Sequence, residues 1–402
     1  VTHAGALRST GSGSAAGSIV YKRQIDIYQG APADTDFPLL FSIVILPNPD
    51  GFGVIDFHRH IENYVSTDFY PADKDGVISR INGAGFKWSF RVAEQYSGNP
   101  PSYQVFGIDE TTIYSFNGAL SFQGFRSWLA SDYNMNSTSP TTTKFLSDIP
   151  RVYDVTLEDR VWLNGLQNDI ANPPILGYIT TDNGTYGVDN QFNATGQNFL
   201  VQHKIGAKDL METTDTTLVA LTGSLPAVDA NTTFITYTQN ILPIGTAVSE
   251  TITLNIVDKC SKHELIRFFY MDKLGSYLPL TFNKVSKTNV TNTRSNYRQN
   301  YGSYDATSNV WGYTTYDRGN TTYDLVSSEK VTCTSDWMNE DEVVMVTNML
   351  NSPIVYIQDA NGNYVAITIT TNSYEFKKTV NDKLINYTLS FEYANTNTNQ
   401  RG

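Results

Sequence analysis

Residues able to act on a bound molecule are few and scattered in this 402-residue chain. Its five histidines are His3, His58, His60, His203 and His263. Only His58-Arg59-His60 brings two imidazoles close, and on a strand they would share a face and could begin a metal site. No third ligand is in view, so the polar face of a strand is the better reading. Asp359-Ala360-Asn361-Gly362-Asn363 sets oxygen ligands at alternate positions, as a calcium loop does. Its glycine is misplaced and no bidentate acid follows at the required distance, which leaves a hairpin turn. Acid pairs such as Asp73 with Asp75, or Glu340 with Asp341, have the composition of a glycosidase couple, but most such pairs are solvated turns or helix starts. Gly-x-Ser-x-Gly, Walker, dinucleotide and His-Glu-x-x-His motifs are missing from the sequence. The sequence therefore assigns no catalytic, cofactor-binding or metal-binding residue, and an enzyme is not expected.

Composition narrows the class further. Hydrophobic residues make up 40% and charged residues only 17%, so Asn, Thr, Ser and Tyr must supply most of the polar surface. With 25 Tyr, 20 Phe and 28 Gly, the chain suits strands and turns better than helices. A net charge of -12 argues against general or sequence-specific nucleic-acid binding, which needs a basic face. No run of about 18 apolar residues exists to span a membrane as a helix. Cys260 and Cys333 are too few for a disulfide scaffold and sit beside apolar runs, where buried free thiols are expected.

The elements that would position any site are clearest near the C-terminus. Asn339 and Glu342 form a capping box, and Val343, Val346, Met349 and Leu350 fall on one face before Pro353, predicting a helix over about 339–350. Strands are expected at Ile354–Ile357, Tyr364–Thr370 and Leu384–Tyr393, with Asn361-Gly362 as a type I′ turn. Earlier, Ile25–Tyr28, Leu39–Leu46, Phe86–Val92, Tyr103–Phe106 and Thr112–Phe116 read as strands, with a short helix possible at Phe122–Leu129. The fold class is mainly β, as tandem β-sandwich domains. A flexible small-residue arm over 1–18 precedes a β domain over 19–168 and a small β-sandwich over 169–256. The last domain, 257–402, is a sheet with a single packed helix. At this length two or three domains are the prior.

Within that last domain, 291–324 changes character: tyrosines alternate with Asn, Thr, Gly and Arg, and aliphatic residues nearly vanish. Two readings stand side by side. It is a loop or arm that orders against a partner, or a hairpin folded over its own domain. Tyr297, Tyr301, Tyr304, Trp311, Tyr313 and Tyr316 are the candidate interface residues, because such rings supply large contacts at modest entropy cost. The arm Val1–Ser18 is a second candidate contact.

Several blocks carry a resemblance. Asp258-Lys-Cys-Ser-Lys262, Thr334-Ser-Asp-Trp-Met-Asn-Glu340, Ser352-Pro-Ile-Val-Tyr-Ile357 and the run Asn381–Tyr393, with Asn399-Gln-Arg-Gly402, resemble virion structural proteins of tailed phages infecting Bacteroidetes. Tail or collar ring proteins of crAss-like, short-tailed phages are the nearest likeness. Ile61–Ser66 and Phe116–Phe122 extend it over most of the chain. It departs at Ile266-Arg-Phe-Phe-Tyr270, where a Trp-Leu-Asn-like strand would be expected. The resemblance implies assembly and not turnover: a virion component with no cofactor, forming a ring of about six or twelve copies. Neighbouring tail, portal-proximal or tail-fibre proteins would be its other partners. A receptor- or glycan-binding tail module is the alternative, and a polysaccharide-degrading tail enzyme a third.

Overall fold

The structure, a computed structural model, describes residues 4–7, 20–29, 38–46, 53–65, 76–80, 85–96, 102–108, 113–118, 120, 124, 128–136, 142–169, 175–189, 200–241, 245–258, 261–371, 386–395 and 397–399. Of these, 53% lie in strands and 9% in helices, so the fold is mainly β. The chain forms two compact units. The first comprises Val1–Asp258, Met271–Pro279 and Asn351–Pro353; the second comprises Lys259–Tyr270, Leu280–Leu350 and Ile354–Gly402. Residues on either side of position 168, where the sequence suggested a boundary, fall in the first unit, and Trp162–Asp169 pairs with Leu200–Lys204.

In the first unit a five-stranded antiparallel sheet runs in the order Leu39–Ile45, Val20–Gln29, Gly85–Tyr96, Ser102–Ile108, with Ile113–Phe116 also on Gly85–Tyr96. Alternation in Phe86-Lys-Trp-Ser-Phe sends Phe86, Trp88 and Phe90 inward, beside Ile25 and Ile27, which are fully buried. Trp88 Nε1 donates to Ser115 Oγ at 3.0 Å, so the indole's polar atom is satisfied inside the core. A seven-stranded sheet follows the order Val152–Val155, Ile252–Ile256, Phe234–Ile241, Ile175–Thr181, Gly184–Asp189, Val219–Ala220, with Thr246–Ala247 on Phe234–Ile241. Its central hairpin was not read from the sequence. Ile175, Ile179 and Thr181 are buried at alternate positions, but Gly177 interrupts the pattern because an added Cβ would stand 2.8 Å from Tyr237 Oη.

In the second unit the strands pair in the order Ser286–Arg298, Asn320–Thr334, Thr388–Tyr393, Tyr364–Ile369, Val355–Gln358, then Phe268–Tyr270. Phe268 packs edge-on against Phe282 at 5.1 Å and Phe391 at 5.6 Å. The helix spans Glu340–Leu350. Its predicted box is closed both ways, Asn339 N donating to Glu342 Oε2 at 2.9 Å and Glu342 N to Asn339 Oδ1 at 2.8 Å. Val343, Met345, Val346 and Met349 are buried.

Four expectations meet a different outcome. Ala4–Leu7, inside the expected arm, pairs antiparallel with Gly53–Asp56; the rest of 1–18 lies outside the described residues. His58–Ile61 is a helical turn and not a strand, and residues two apart on a helix do not share a face. At Asp359–Asn363 only Gly362 has positive φ, 84°, so the turn is not type I′. The segment 291–324 is not the loop of the first reading but a hairpin, as in the second: its ends pair as a β ladder with one irregularity. The expected helix at Phe122–Leu129 lies largely outside the described residues, as do Asp73, Asp75 and Cys260.

Candidate interaction site

The ladder that carries the six aromatic candidates is a long hairpin. Its outer strand, Ser286–Arg298, registers with the inner strand, Asn320–Thr334, from Ser286↔Cys333 to Arg298↔Asn320. Thr, Val and Tyr favour the extended backbone, and neither Gly nor Pro interrupts either strand. Thirteen residues at strand rise give an outer strand about 43 Å long. One irregularity lies between Ser295 and Asn296: their partners are Asp324 and Thr322, so Tyr323 is a bulged extra residue.

Only the base of the hairpin belongs to the wider sheet. The inner strand pairs with Thr388–Tyr393 at Lys330–Thr334 and with Asn397–Asn399 at Leu325–Ser327. There Val331 and Cys333 are buried, and burial pushes the Cys333 thiol up to about 12. Beyond Leu325 the described sheet ends. Opposite this base, residues 287–294 of the outer strand are all exposed, on both faces. The outer strand lacks the usual stabilisation of a sheet, one face against a core.

Residues 299–319 form a small, locally ordered tip. Gln299 N donates to Gly319 O at 2.9 Å, Gln299 Nε2 to Arg318 O at 3.0 Å, and Tyr297 Oη to Gln299 Oε1 at 3.2 Å. A second, shorter hairpin pairs Ser303–Asp305 with Val310–Gly312. Its turn is held by Asp305, which accepts from Ser308 Oγ at 2.6 Å and Thr307 N at 2.9 Å; these bonds, the Ser308 hydroxyl foremost, hold its carboxyl below the usual range. Asn309 occupies the left-handed region at φ 53°, as Asn tolerates. Asp317 closes another turn, accepting from Thr314 N at 2.8 Å and donating its own N–H to Thr314 O at 3.0 Å. Glycine is required at 302, where φ is 87° and a Cβ would lie 2.6 Å from Gly312 O.

All six candidate rings are on this hairpin and all are exposed: Tyr297 41%, Tyr301 44%, Tyr304 55%, Trp311 57%, Tyr313 68% and Tyr316 81%. Tyr304 and Trp311 are cross-strand partners, so they stand on one face. Tyr301 and Tyr313 meet edge to face at 5.7 Å. Tyr323 (57%) packs on Tyr297 at 6.1 Å, and Val310 (58%) is a further exposed apolar side chain of the tip, although neither was among the candidates. Both stand in the Tyr-rich window, and adding all its apolar side chains would have found them. At about 200 Å² per ring, these exposures amount to about 700 Å² of aromatic surface, close to the roughly 800 Å² that each partner contributes to a standard interface.

Each described residue weighed for chemistry has its own setting. His60 is exposed and stacks on Phe41 at 5.4 Å. His203 is fully buried in the first unit; its Nδ1 lies 2.9 Å from Tyr237 Oη and 3.1 Å from Gln239 Nε2, and burial lowers its pKa to about 3. The Asp359 carboxylate is taken up by its own turn, with Asn361 N and Asn363 N each donating to Oδ1 at 2.8 Å. Among the described residues no group of three His, Cys, Asp or Glu side chains is placed to hold a metal ion. A hollow of about 300 Å³ at the hairpin's base is lined by Ser327, Ser328, Glu329, Val365, Glu392, Tyr393 and Asn395. Neither protein-family models nor curated protein sequences give a match to this chain.

Proposed function

We propose that the chain is a structural subunit of a bacteriophage virion, which assembles with copies of itself into a ring in the tail or collar, helps build the DNA-ejection conduit and anchors neighbouring tail proteins. One observation carries the assembly part of this reading: a hairpin about 43 Å long, whose outer strand is exposed on both faces over residues 287–294, carries about 700 Å² of exposed aromatic surface at and beside its tip. An isolated two-stranded hairpin is marginal in water, and large exposed apolar surfaces mark interaction sites. The tip's Tyr, Trp, Ser, Gly and Asn are the residues of rigid protein-binding loops. The phage part rests on the sequence blocks given above.

Replacing 299–319 by Asn-Gly, which joins Arg298 to Asn320 by a two-residue turn, removes the tip and keeps the ladder. Light scattering and negative-stain imaging of the full chain should show a closed multimer, and the shortened chain should run as a single copy with an unchanged melting temperature. A single copy for both proteins defeats the proposal. The Tyr304–Trp311 pair favours a second reading, since two rings on one open face make a platform for a sugar ring. Glycan binding by the single chain, lost in Trp311→Ala, would support that reading instead.

A further inference from the structure

The outer strand Ser286–Arg298 has Asn320–Thr334 on one side and, among the described residues, no strand on the other. An edge of this kind presents a row of unpaired N–H and C=O groups to any chain that can lie alongside. Natural edges are blunted by shortness, proline, a bulge or charged side chains. This one is thirteen residues long and contains no proline; its one irregularity lies between Ser295 and Asn296, where the extra residue, Tyr323, is in the inner strand, and over Ser286–Ser295 the register is continuous. That stretch is free to pair, and its charges decide with what.

Charge then selects the partner. The strand carries Lys287, Arg294 and Arg298 and no acid. Two copies of it laid together would place cations against cations, which opposes pairing. The rest of the chain holds 40 Asp and Glu against 25 Lys and Arg (28 less these three), so the surface of a second copy is acidic on balance. We infer that the edge Ser286–Arg298 is completed by a strand of a second copy, whose remaining surface is acidic on balance, joined head to tail. Backbone hydrogen bonds hold such a joint, and the cations exclude the self-paired alternative. A contact between two different surfaces is also the kind that closes into a ring. The inference rests on the self-assembly reading above and adds which edge carries the joint.

Proline placed singly at Asn289, Val290, Thr291 and Asn292 in the full chain tests it, with particle mass and thermal melting measured for each. Successive N–H groups point alternately toward the inner strand and away from it. Two alternate positions should reduce the particle to a single copy while melting like the unaltered chain, and the other two should melt earlier. The triple variant Lys287→Glu, Arg294→Glu, Arg298→Glu should weaken association on the order of tenfold to a hundredfold. Retention of the multimer in the triple variant and in every normally melting proline variant overturns the inference while self-assembly stands. A two-copy particle in the unaltered chain, unaffected by raised salt, overturns it in favour of other surfaces. If the unaltered chain is a single copy, both readings fall together.

Discussion

Two hairpins in this protein use the same backbone pattern under opposite conditions. In Ile175–Thr181 with Gly184–Asp189, every second residue of the first strand is buried, and its partners continue on both sides into Phe234–Ile241 and Val219–Ala220. In Ser286–Arg298 with Asn320–Thr334, the outer strand meets solvent on both faces. A half-buried strand has its register fixed by the core, because a slip of one residue would expose its apolar set. The long hairpin lacks that constraint, and its pairing is fixed instead by its base, by the bulge at Tyr323 and by the Gln299 contacts to Gly319 and Arg318. The first kind stabilises the fold. The second leaves its side chains for something outside the chain.

The contrast would break if aromatic residues counted equally in both places. Trp162 in the first unit is 2% exposed, donates from Nε1 to Asp209 Oδ1 at 3.1 Å, and packs edge-on against Tyr277 at 6.0 Å. Trp162→Ala should cost about 3–5 kcal/mol in denaturant unfolding, through lost contacts and the cavity left behind. A cost below about 1 kcal/mol would show that the first unit's core does not carry its stability.

Acid titration sharpens the comparison, because the two strongly shifted groups that titrate below neutral pH, His203 and Asp272, lie in the first unit. His203, held neutral by burial with a pKa of about 3, binds fewer protons folded than unfolded below its ordinary 6.5. Its contribution is present above about pH 6.5 and is lost as pH falls, by up to about 3 kcal/mol at pH 4. Asp272 is raised to about 6 by burial first and then by repulsion from Asp148, so it binds more protons folded than unfolded. It acts with the opposite sign: stability rises as pH falls through 6 toward 4, by about 2–3 kcal/mol at most. Asp272→Asn should therefore steepen acid destabilisation, and His203→Gln should flatten it. Unfolding curves from pH 8 to 4 that are parallel for all three proteins would refute both assignments.

Sequence reading succeeded where several local signals agreed. Asn339 and Glu342 announced the helix start because each satisfies the other's backbone N–H, and the alternation in Phe86–Phe90 announced a strand with its aromatic rings inward, although Ser89 on its other face is buried too. It failed where a single residue hid the pattern or a pattern had two meanings. Gly177 concealed a central strand because the space its side chain would fill is taken by Tyr237 from the neighbouring strand. His58-Arg-His60 fits strand and helical turn equally, and backbone hydrogen bonding decides: His60 N and Ile61 N both donate to Phe57 O at 3.0 Å. The candidate rings were legible as a group, since Tyr and Trp without aliphatic neighbours cannot build a core. That they ride on a ladder was legible only as one of two readings, because periodicity is read from apolar residues and this ladder has almost none.

The smallest expected effect bears most directly on the contrast. Trp311 resembles Trp162 in size, but it is 57% exposed, and across the strand it faces Tyr304, itself 55% exposed. With less than half of its surface covered, Trp311→Ala should change unfolding of the single chain far less than Trp162→Ala does, by about 1 kcal/mol or below. The same substitution should weaken self-association by tenfold or more, about 1.4 kcal/mol or above, if the ring sits near the centre of a contact. Measuring both quantities on one preparation separates the roles of the two tryptophans. Loss of folding stability with unchanged association would place Trp311 in the chain's own architecture and remove the reason for treating the tip as a docking surface.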